Sequence, residues 1–131
     1  AYTAQEMAAE EHVSGDCVAK PVLVRADGRN VLCVLPASHK VDLGKLAEQI
    51  GAKDAHLADE TELAEAFPDV EHGAEPPFGE PYGVETLIDT SLADSERVCF
   101  TAGTHRQTVS MKYADYASLT SPEVADLATH L

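Results

Sequence analysis

The sequence predicts a single domain of the α/β (α+β) class. Its 131 residues suit one core, because single domains usually hold about 100 to 200 residues. Hydrophobic residues make up 44% of the chain and charged residues 24%, as in a globular protein. Short Val- and Leu-rich runs alternate with segments of helical periodicity, with no repeat or linker between them. We therefore treat residues 1–131 as one domain.

The first elements in order are a helix and a hairpin. Residues 3–12 open with Thr-Ala-Gln-Glu, a capping-box pattern that satisfies main-chain N–H groups at a helix start, which predicts a helix to about His12. Two apolar runs in residues 20–36 are separated by Asp27-Gly28, a pair typical of hairpin turns. We expect both strands of this hairpin to be central in a sheet.

The next elements are short. Residues 43–50 have apolar side chains at helical spacing, with an aspartate before them and a glycine after them to start and stop a helix. Residues 54–59 predict a short strand, and residues 60–67 a short helix that ends before Pro68, since a residue preceding proline avoids the helical region.

The second half predicts three strands and a last helix. The strands are expected in Val-Glu-Thr-Leu-Ile-Asp (84–89), Arg-Val-Cys-Phe-Thr-Ala-Gly (97–103) and residues 105–111. Residues 121–131 predict a final helix, with Ser121 as its cap and proline at its first position. Five to seven short strands among helices do not by themselves fix a topology.

Charge and hydropathy exclude some classes of binding partner. The formal net charge is −14, six of the nine Lys and Arg residues fall in residues 20–53, and residues 54–96 hold thirteen carboxylates and no Lys or Arg. Such a chain repels polyanions at long range, so we expect no DNA partner and only a local basic patch for any nucleic-acid contact. No apolar run is long enough for a membrane span and no signal peptide is recognisable, which predicts a cytoplasmic protein without a membrane partner.

Familiar enzyme signatures are missing. The sequence contains no GxSxG, HExxH, GxxxxGK[ST] or GxGxxG motif, and its histidines form no pair at helical spacing, so we expect no metal and no cofactor. A metal site assembled from distant residues stays open as an alternative. Three cysteines are an odd count without a CxxC pair, which favours reduced, mostly buried thiols over disulfides: Cys17, Cys33 and Cys99.

Three features are candidates for function. Lys20 precedes Pro21, which keeps Lys20 extended at the start of a strand, where its ammonium could bind phosphate or simply reach solvent. The stiff loop Gly-Ala-Glu-Pro-Pro-Phe-Gly (73–79) could present main-chain N–H groups to a ligand or be a surface turn. The turn Thr-Ala-Gly-Thr-His (101–105) could direct His105 into a cleft, or that histidine could be structural.

Five stretches in this order resemble the YbaK family, which is related to the editing domain of bacterial prolyl-tRNA synthetases. They are AKPVLVRADGRNVLCVLPASHKVDLGKLAEQIGA, LADETEL, HGAEPPFG, LIDTSLAD and VCFTAGTH. The resemblance implies a mixed, partly closed, barrel-like β-sheet flanked by helices. It also implies a free-standing enzyme that hydrolyses the ester of a mischarged aminoacyl-tRNA of the Ala, Cys, Ser or Thr type, with help from groups of the substrate itself.

The resemblance also implies roles for particular residues. Lys20 matches a lysine that binds the terminal phosphate or ester region, and we expect it to be the catalytic residue. The substrate-binding residues matched by the loop and the turn are Gly73, Pro77, Gly79, Gly103 and His105. The implied partners are the acceptor end of an aminoacyl-tRNA and, as a further candidate, an aminoacyl-tRNA synthetase.

Two other functions stay open from the sequence. Proline at position 21 stands where Thr or Asn is expected in the family and removes a main-chain donor beside Lys20, and the chain is strongly acidic. Both features suit a non-catalytic module that binds an aminoacyl or nucleotide-like ligand or a synthetase. The remaining alternative is a metal-binding or protein-interaction domain.

Overall fold

The computed structural model describes residues 18–68, 79, 82–101 and 108–130. The described part contains both strands and helices, so the predicted α/β class is confirmed. The strands are β1 (Ala19–Ala26), β2 (Arg29–Pro36), β3 (His39–Val41), β4 (Ala55–Leu57), β5 (Glu85–Asp89), β6 (Arg97–Thr101), β7 (Thr108–Lys112), β8 (Glu123–Ala125) and β9 (Ala128–His130). The helices are α1 (Leu43–Ile50), α2 (Glu60–Ala66), α3 (Thr90–Ala93) and α4 (Tyr113–Thr120). Within the described ranges, none of the helices is long and apolar enough to cross a membrane.

The main sheet has five strands in the order β4-β1-β2-β5-β8. Strand β1 pairs antiparallel with β2 and with β4, whereas β2, β5 and β8 run parallel to one another. Both hairpin strands therefore have a neighbour on each side, as expected from their apolar sequences. The carboxyl ends of the three parallel strands meet at the edge of the sheet where β1 begins.

The remaining strands form two separate two-stranded sheets. Strands β6 and β7 pair antiparallel, and an isolated parallel bridge joins Cys99 of β6 to Val18 just before β1. Strands β3 and β9 pair antiparallel and form what we call the β3–β9 ribbon. The described strands are thus divided among three sheets instead of the single partly closed barrel expected from the resemblance.

Alternating side chains place one hydrophobic core on each face of the main sheet. The first core includes Ala19, Leu23, Leu32, Val34, Phe67, Val84, Ile88, Leu92, Val98, Phe100 and Tyr116. The second core includes Val24, Ala26, Val31, Cys33, Leu35, Leu46, Leu87, Leu127 and Ala128. Strands β1, β2 and β5 contribute to both cores because successive strand residues point to opposite faces, so these strands are apolar along most of their length.

The local signals between residues 20 and 67 are confirmed. Asp27 and Gly28 have φ values of 49° and 84°, and a two-residue hairpin turn of this type requires positive φ at both positions. The Asp42 carboxylate accepts from the N–H of Lys45 at 3.0 Å to start α1, and Gly51 ends it at a φ of 69°. The predicted short strand is β4, and the predicted short helix is α2, which has a complete capping box.

The prediction of a helix over 121–131 is wrong. Strands β8 and β9 occupy this segment, and Ser121 ends α4 instead of starting a helix. Ser121 has a φ of 47° and its N–H donates to the carbonyl of Ala117 at 2.8 Å. Short segments of this kind are decided by pairing with β5 and β3, which local capping signals cannot reveal. The helix predicted over residues 3–12 lies outside the described residues.

Candidate functional site

Lys20 lies at the beginning of β1, next to the carboxyl ends of the parallel strands. Its partner in the neighbouring strand is Leu35, and the same alternation that carries Val22 and Val24 to the second core carries Lys20 to that face. In sheets with parallel strands, ligands bind preferentially beyond the carboxyl ends of those strands. Lys20 is therefore the described candidate residue with the most favourable position for a ligand contact.

The Lys20 ammonium is held by main-chain carbonyl groups. Nζ donates to the carbonyl oxygen of His39 and makes a longer contact of 3.5 Å with that of Ala37. The side chain is half-buried, and this burial lowers the pKa of the ammonium below its ordinary value. Across the described ranges, no carboxylate forms an ion pair with Lys20, whereas Lys45 pairs with Asp126 at 3.3 Å.

Pro21 fits β1 without breaking a sheet bond. It is paired with Val34 in the register with β2, while β4 on the other side of β1 contacts only Val24–Ala26. On the side of β4, strand β1 therefore has no partner at position 21 that would need an N–H donor, and proline is tolerated there. Lys20 is in extended conformation before it, as the preference of a residue preceding proline predicts.

Two imidazoles lie beside the carbonyl that Lys20 contacts. His39 and His130 are directly opposite each other in the β3–β9 ribbon, and their ring centroids are 4.8 Å apart at an interplanar angle of 62°. The hydroxyl of Ser38 and Nδ1 of His39 are 2.9 Å apart, which orients that ring. Lys20 thus contacts the main chain of His39, whose ring contacts that of His130, and we call these three residues the Lys–His cluster.

Gly79 closes the end of the stiff loop against the main sheet. Its N–H donates to Oγ1 of Thr86 at 2.9 Å, and its carbonyl accepts from the N–H groups of Tyr82 and Val84 at 3.0 and 2.9 Å. A Cβ at this position would overlap the main-chain oxygen of Val84 and lie 2.5 Å from Oγ1 of Thr86. Only glycine fits here, because the chain approaches β5 too closely for any side chain.

Lys20 and Gly79 lie on opposite faces of the main sheet. Thr86 is in register with Leu32 and two residues before Ile88, so it lies on their face of the sheet and faces the first core, whereas Lys20 faces the second. The two positions also differ by three residues in register, roughly 10 Å along the strands. The described residues thus do not bring Lys20 and Gly79 into one cleft. Four other predicted site residues lie outside the described part of the chain: Gly73, Pro77, Gly103 and His105.

The described cysteines are unsuited to nucleophilic catalysis. Cys33 and Cys99 are buried and free, and burial raises the pKa of the Cys33 thiol to about 12. Cys17 lies outside the described residues. Between residues 18 and 130, within the described ranges, no group of three or more His, Cys, Asp or Glu side chains is arranged to hold a metal ion.

The comparison with known protein families decides what this arrangement belongs to. Residues 1–119 match the family described as aminoacyl-tRNA editing domain. The chain belongs to this family. It is also 34% identical over 106 residues to the multifunctional Ser/Thr-tRNA deacylase ProXp-y of Escherichia coli K12, and the match covers 79% of this chain and 63% of that relative. This editing-domain chain therefore spans somewhat less than two thirds of the length of the curated relative.

Solved structures share the fold of this editing domain. One is a protein proposed to be a trans-editing enzyme for prolyl tRNA synthetase, with a TM-score of 0.86 and 24% identity; the match covers 97% of this chain and 80% of that one. Another is the hypothetical protein APE2540, with a TM-score of 0.87 and 23% identity, covering 97% of this chain and 84% of that one. At these sequence identities the likeness shows a shared fold and nothing about activity.

The sequence analysis missed the two histidines and a buried aspartate. His39 and His130 are far apart in the chain. They are neighbours because β9 pairs with β3, and the prediction of a helix over residues 121–131 excluded that strand. Asp89 is the buried charged residue of the described part, and its carboxylate accepts from the N–H groups of Ser91 and Leu127. An aspartate that follows a strand and precedes a short turn of helix was the only available signal for this role.

Proposed function

We propose that this chain is a trans-editing hydrolase that removes the amino acid from mischarged aminoacyl-tRNA. The substrates in question carry Ala, Cys, Ser or Thr, and the name of the E. coli relative makes Ser- and Thr-tRNA the first to test. The proposal includes a cytoplasmic location, the tRNA acceptor end as partner, and an aminoacyl-tRNA synthetase as a second partner. Membership in the editing-domain family supports this reaction class.

The observation that carries the proposal is the environment of Lys20. A half-buried ammonium has lost part of its hydration, and its described partners are neutral carbonyl groups that leave its charge uncompensated. A phosphate oxygen of the tRNA 3′ end would supply the missing negative charge. Lys20 would then hold the acceptor end so that the ester lies at a fixed position.

The chemistry requires little more than positioning. A water oxygen attacks the ester carbonyl, the bond to the terminal ribose oxygen breaks, and that oxygen leaves with a proton as the free hydroxyl of the tRNA. An aminoacyl ester is activated, so a substrate hydroxyl or thiol that orients the water, together with main-chain N–H groups for the developing oxyanion, can suffice. We assign the aminoacyl pocket to the loop residues Gly73, Pro77 and Gly79 and to the turn residues Gly103 and His105.

The experiment is a deacylation assay on a defined set of substrates. We would incubate the protein with Ser-tRNA and Thr-tRNA, and with tRNA(Pro) charged with Ala or Cys, and follow release of the amino acid. Lys20→Ala should lower kcat/KM about 100-fold, a loss typical of removing an electrostatic contact in an active site. Lys40→Ala is the matched control, because Lys40 is exposed. A folded parent protein that releases none of the four amino acids would refute the proposal.

A second candidate function has its own supporting observation. Lys20 faces the second core and Gly79 faces the first, so the described residues do not join the cation and the loop in one cleft. This separation suits a non-catalytic module that binds the tRNA end or a nucleotide-like ligand without hydrolysis. The two candidates differ in one result: the module binds uncharged tRNA through Lys20 and leaves charged tRNA intact.

A further inference from the structure

We infer that the Lys–His cluster is a phosphate-binding site, in which His39 and His130 assist Lys20 in holding a phosphodiester group of the tRNA acceptor end. The inference rests on the proposed function and adds two residues to it. Neither histidine is assigned by the family resemblance. His130 even lies beyond residues 1–119, which match the editing-domain family.

The cluster is assembled from three different strands. Lys20 starts β1, His39 starts β3 and His130 ends β9. Each residue contacts the next. Lys20 Nζ donates to the carbonyl oxygen of His39, and the ring centroids of His39 and His130 are 4.8 Å apart. Residues brought together from such distant parts of the chain are held by the fold and do not need to be ordered by the ligand.

Side-chain alternation directs the members of the cluster to the same layer of the protein. In the ribbon, His39 and His130 lie on the face of Val41 and Ala128, which pack in the second core. Lys20 lies on the face of the main sheet that covers this same core. The ammonium and the imidazoles are therefore directed to the same layer, between the main sheet and the ribbon.

The charges near the cluster favour an anion. Two described carboxylates next to the ends of the ribbon strands have other partners: Asp42 accepts from the N–H of Lys45 and the hydroxyl of Thr129, and Asp126 pairs with Lys45. Thr129 and Lys40 alternate to the face of the ribbon opposite the histidines. In a chain with a net charge of −14, the Lys–His cluster is thus a local site at which a polyanion can be accepted.

The donors of the cluster suit an anionic group such as a phosphodiester. An ammonium has three N–H donors, of which Lys20 directs one to the carbonyl of His39 and makes a longer contact with that of Ala37, and an imidazole N–H would add to the donors that remain. When Nδ1 of His39 accepts from the Ser38 hydroxyl, the ring proton lies on Nε2, which is then the atom through which His39 would donate. A phosphodiester has two non-bridging oxygens that share one negative charge and can each accept hydrogen bonds.

The test measures binding separately from hydrolysis. We would titrate the protein with the trinucleotide CCA, which has the phosphodiester backbone of a tRNA 3′ end, and with adenosine, which has no phosphate, and follow both by NMR. In the double variant His39→Gln/His130→Gln we expect the Kd for CCA to rise at least fivefold, and the Kd for adenosine to change less than twofold. Lys20→Met should weaken CCA binding in the same way.

His56→Gln is the matched control. His56 is an exposed histidine whose ring lies 3.7 Å from carboxylate oxygens of Asp54 and Glu62, far from the cluster in the fold, and its loss should leave both Kd values within twofold. Circular dichroism melting verifies that each variant is folded. If the double variant is unfolded, the single variant His130→Gln replaces it in the titrations, because His130 is exposed.

Two outcomes would overturn the inference. One is CCA binding that is absent in the parent or unchanged in the histidine variants. The other is an equal loss of adenosine binding, which would indicate stacking on the base. If the parent deacylates tRNA and the Kd for CCA is unchanged in the histidine variants, this inference fails and the proposed function stands. If CCA binding falls as expected but no aminoacyl-tRNA is hydrolysed, the phosphate site stands and the enzyme proposal fails.

Discussion

The Asp89 carboxylate accepts a hydrogen bond from the main-chain N–H of Leu127 at 2.8 Å, and so ties the end of β5 to the segment that leads into β9. Its other oxygen accepts from the N–H of Ser91 at 3.1 Å and from the Ser91 hydroxyl, at the start of α3. Leu127 in turn accepts from the N–H of Asp42 at 2.8 Å. One buried carboxylate thereby fixes the strand that carries His130.

Replacing this carboxylate should destabilise the protein. Asp89→Asn retains one acceptor but presents an amide N–H₂ either to Ser91 or to Leu127, where a donor meets another donor. A buried donor that loses its partner costs about 1 to 3 kcal/mol, and we expect a loss of this size in the free energy of unfolding, measured in urea. Asp94→Asn is the control, because Asp94 is exposed, and it should change stability by less than about 0.5 kcal/mol.

Gly79 should tolerate no side chain. In Gly79→Ala the new methyl group would meet a main-chain carbonyl that cannot rotate away, so β5 or the loop end must shift. Forced overpacking of this kind costs about 1 to 3 kcal/mol, which thermal unfolding would detect. Gly83→Ala separates the causes: its φ of 71° is strained for alanine, but no heavy atom lies within 4 Å of the new Cβ. A Gly79→Ala variant as stable as the parent would contradict the steric explanation.

Cys33 should be inert towards alkylating reagents while the protein is folded. With a pKa of about 12, only roughly one thiol in ten thousand is ionised at pH 8, and the residue is also fully buried. We expect iodoacetamide to modify Cys33 only after addition of guanidinium chloride, with mass spectrometry of peptides as the measurement. Rapid modification of the native protein at Cys33 would show that the strand opens readily. A deacylase activity that survives Cys33→Ala would agree with its place in the second core.

The parts of the fold predictable from the sequence are those determined by local chemistry. Asp27 and Gly28 adopt the positive φ angles of their turn, and Asp42 and Gly51 bound α1, because these residue types favour such conformations wherever they occur. The long apolar strands β1 and β2 were predicted for a related reason: a strand buried on both faces has few polar positions.

The parts that failed depend on distant pairing. Residues 123–130 include several residue types that favour helices. They form strands because β8 pairs in parallel with β5 and β9 pairs with β3. Helix α4 was overlooked because its polar and apolar residues show little helical segregation, and only Tyr116 is buried in it. Pairing energy that comes from elsewhere in the chain outweighs such weak local preferences.

The same division applies to the candidate site. Lys20 could be selected from the sequence because Pro21 predicts its extended backbone, and the family resemblance supplied the role proposed for it. Its carbonyl partners could not, since they belong to the turn after β2 and to β3. The Lys–His cluster depends on β9, so it was hidden by the same error that produced the final helix.

The pKa of Lys20 leads to a prediction about stability at alkaline pH. Burial lowers this pKa in the folded state, whereas the unfolded chain keeps the ordinary value of 10.5. Between the lowered pKa and 10.5 the unfolded state binds more protons than the folded state, so this residue makes the free energy of unfolding rise with pH. Below that window the full cost of burying the charge is present.

Lys20→Met should remove this dependence. Methionine has a similar length and no charge, so we expect the variant to be at least as stable as the parent at pH 7 and to lose its relative advantage as pH approaches 10.5. The measurement is urea unfolding at several pH values for both proteins. Taking the difference between them cancels Tyr113 and Tyr116, whose pKa values are raised by burial and which act in the opposite direction. Lys40→Met, at an exposed position, should show no such trend, and a parallel course for Lys20→Met and parent would mean that the ammonium is not desolvated.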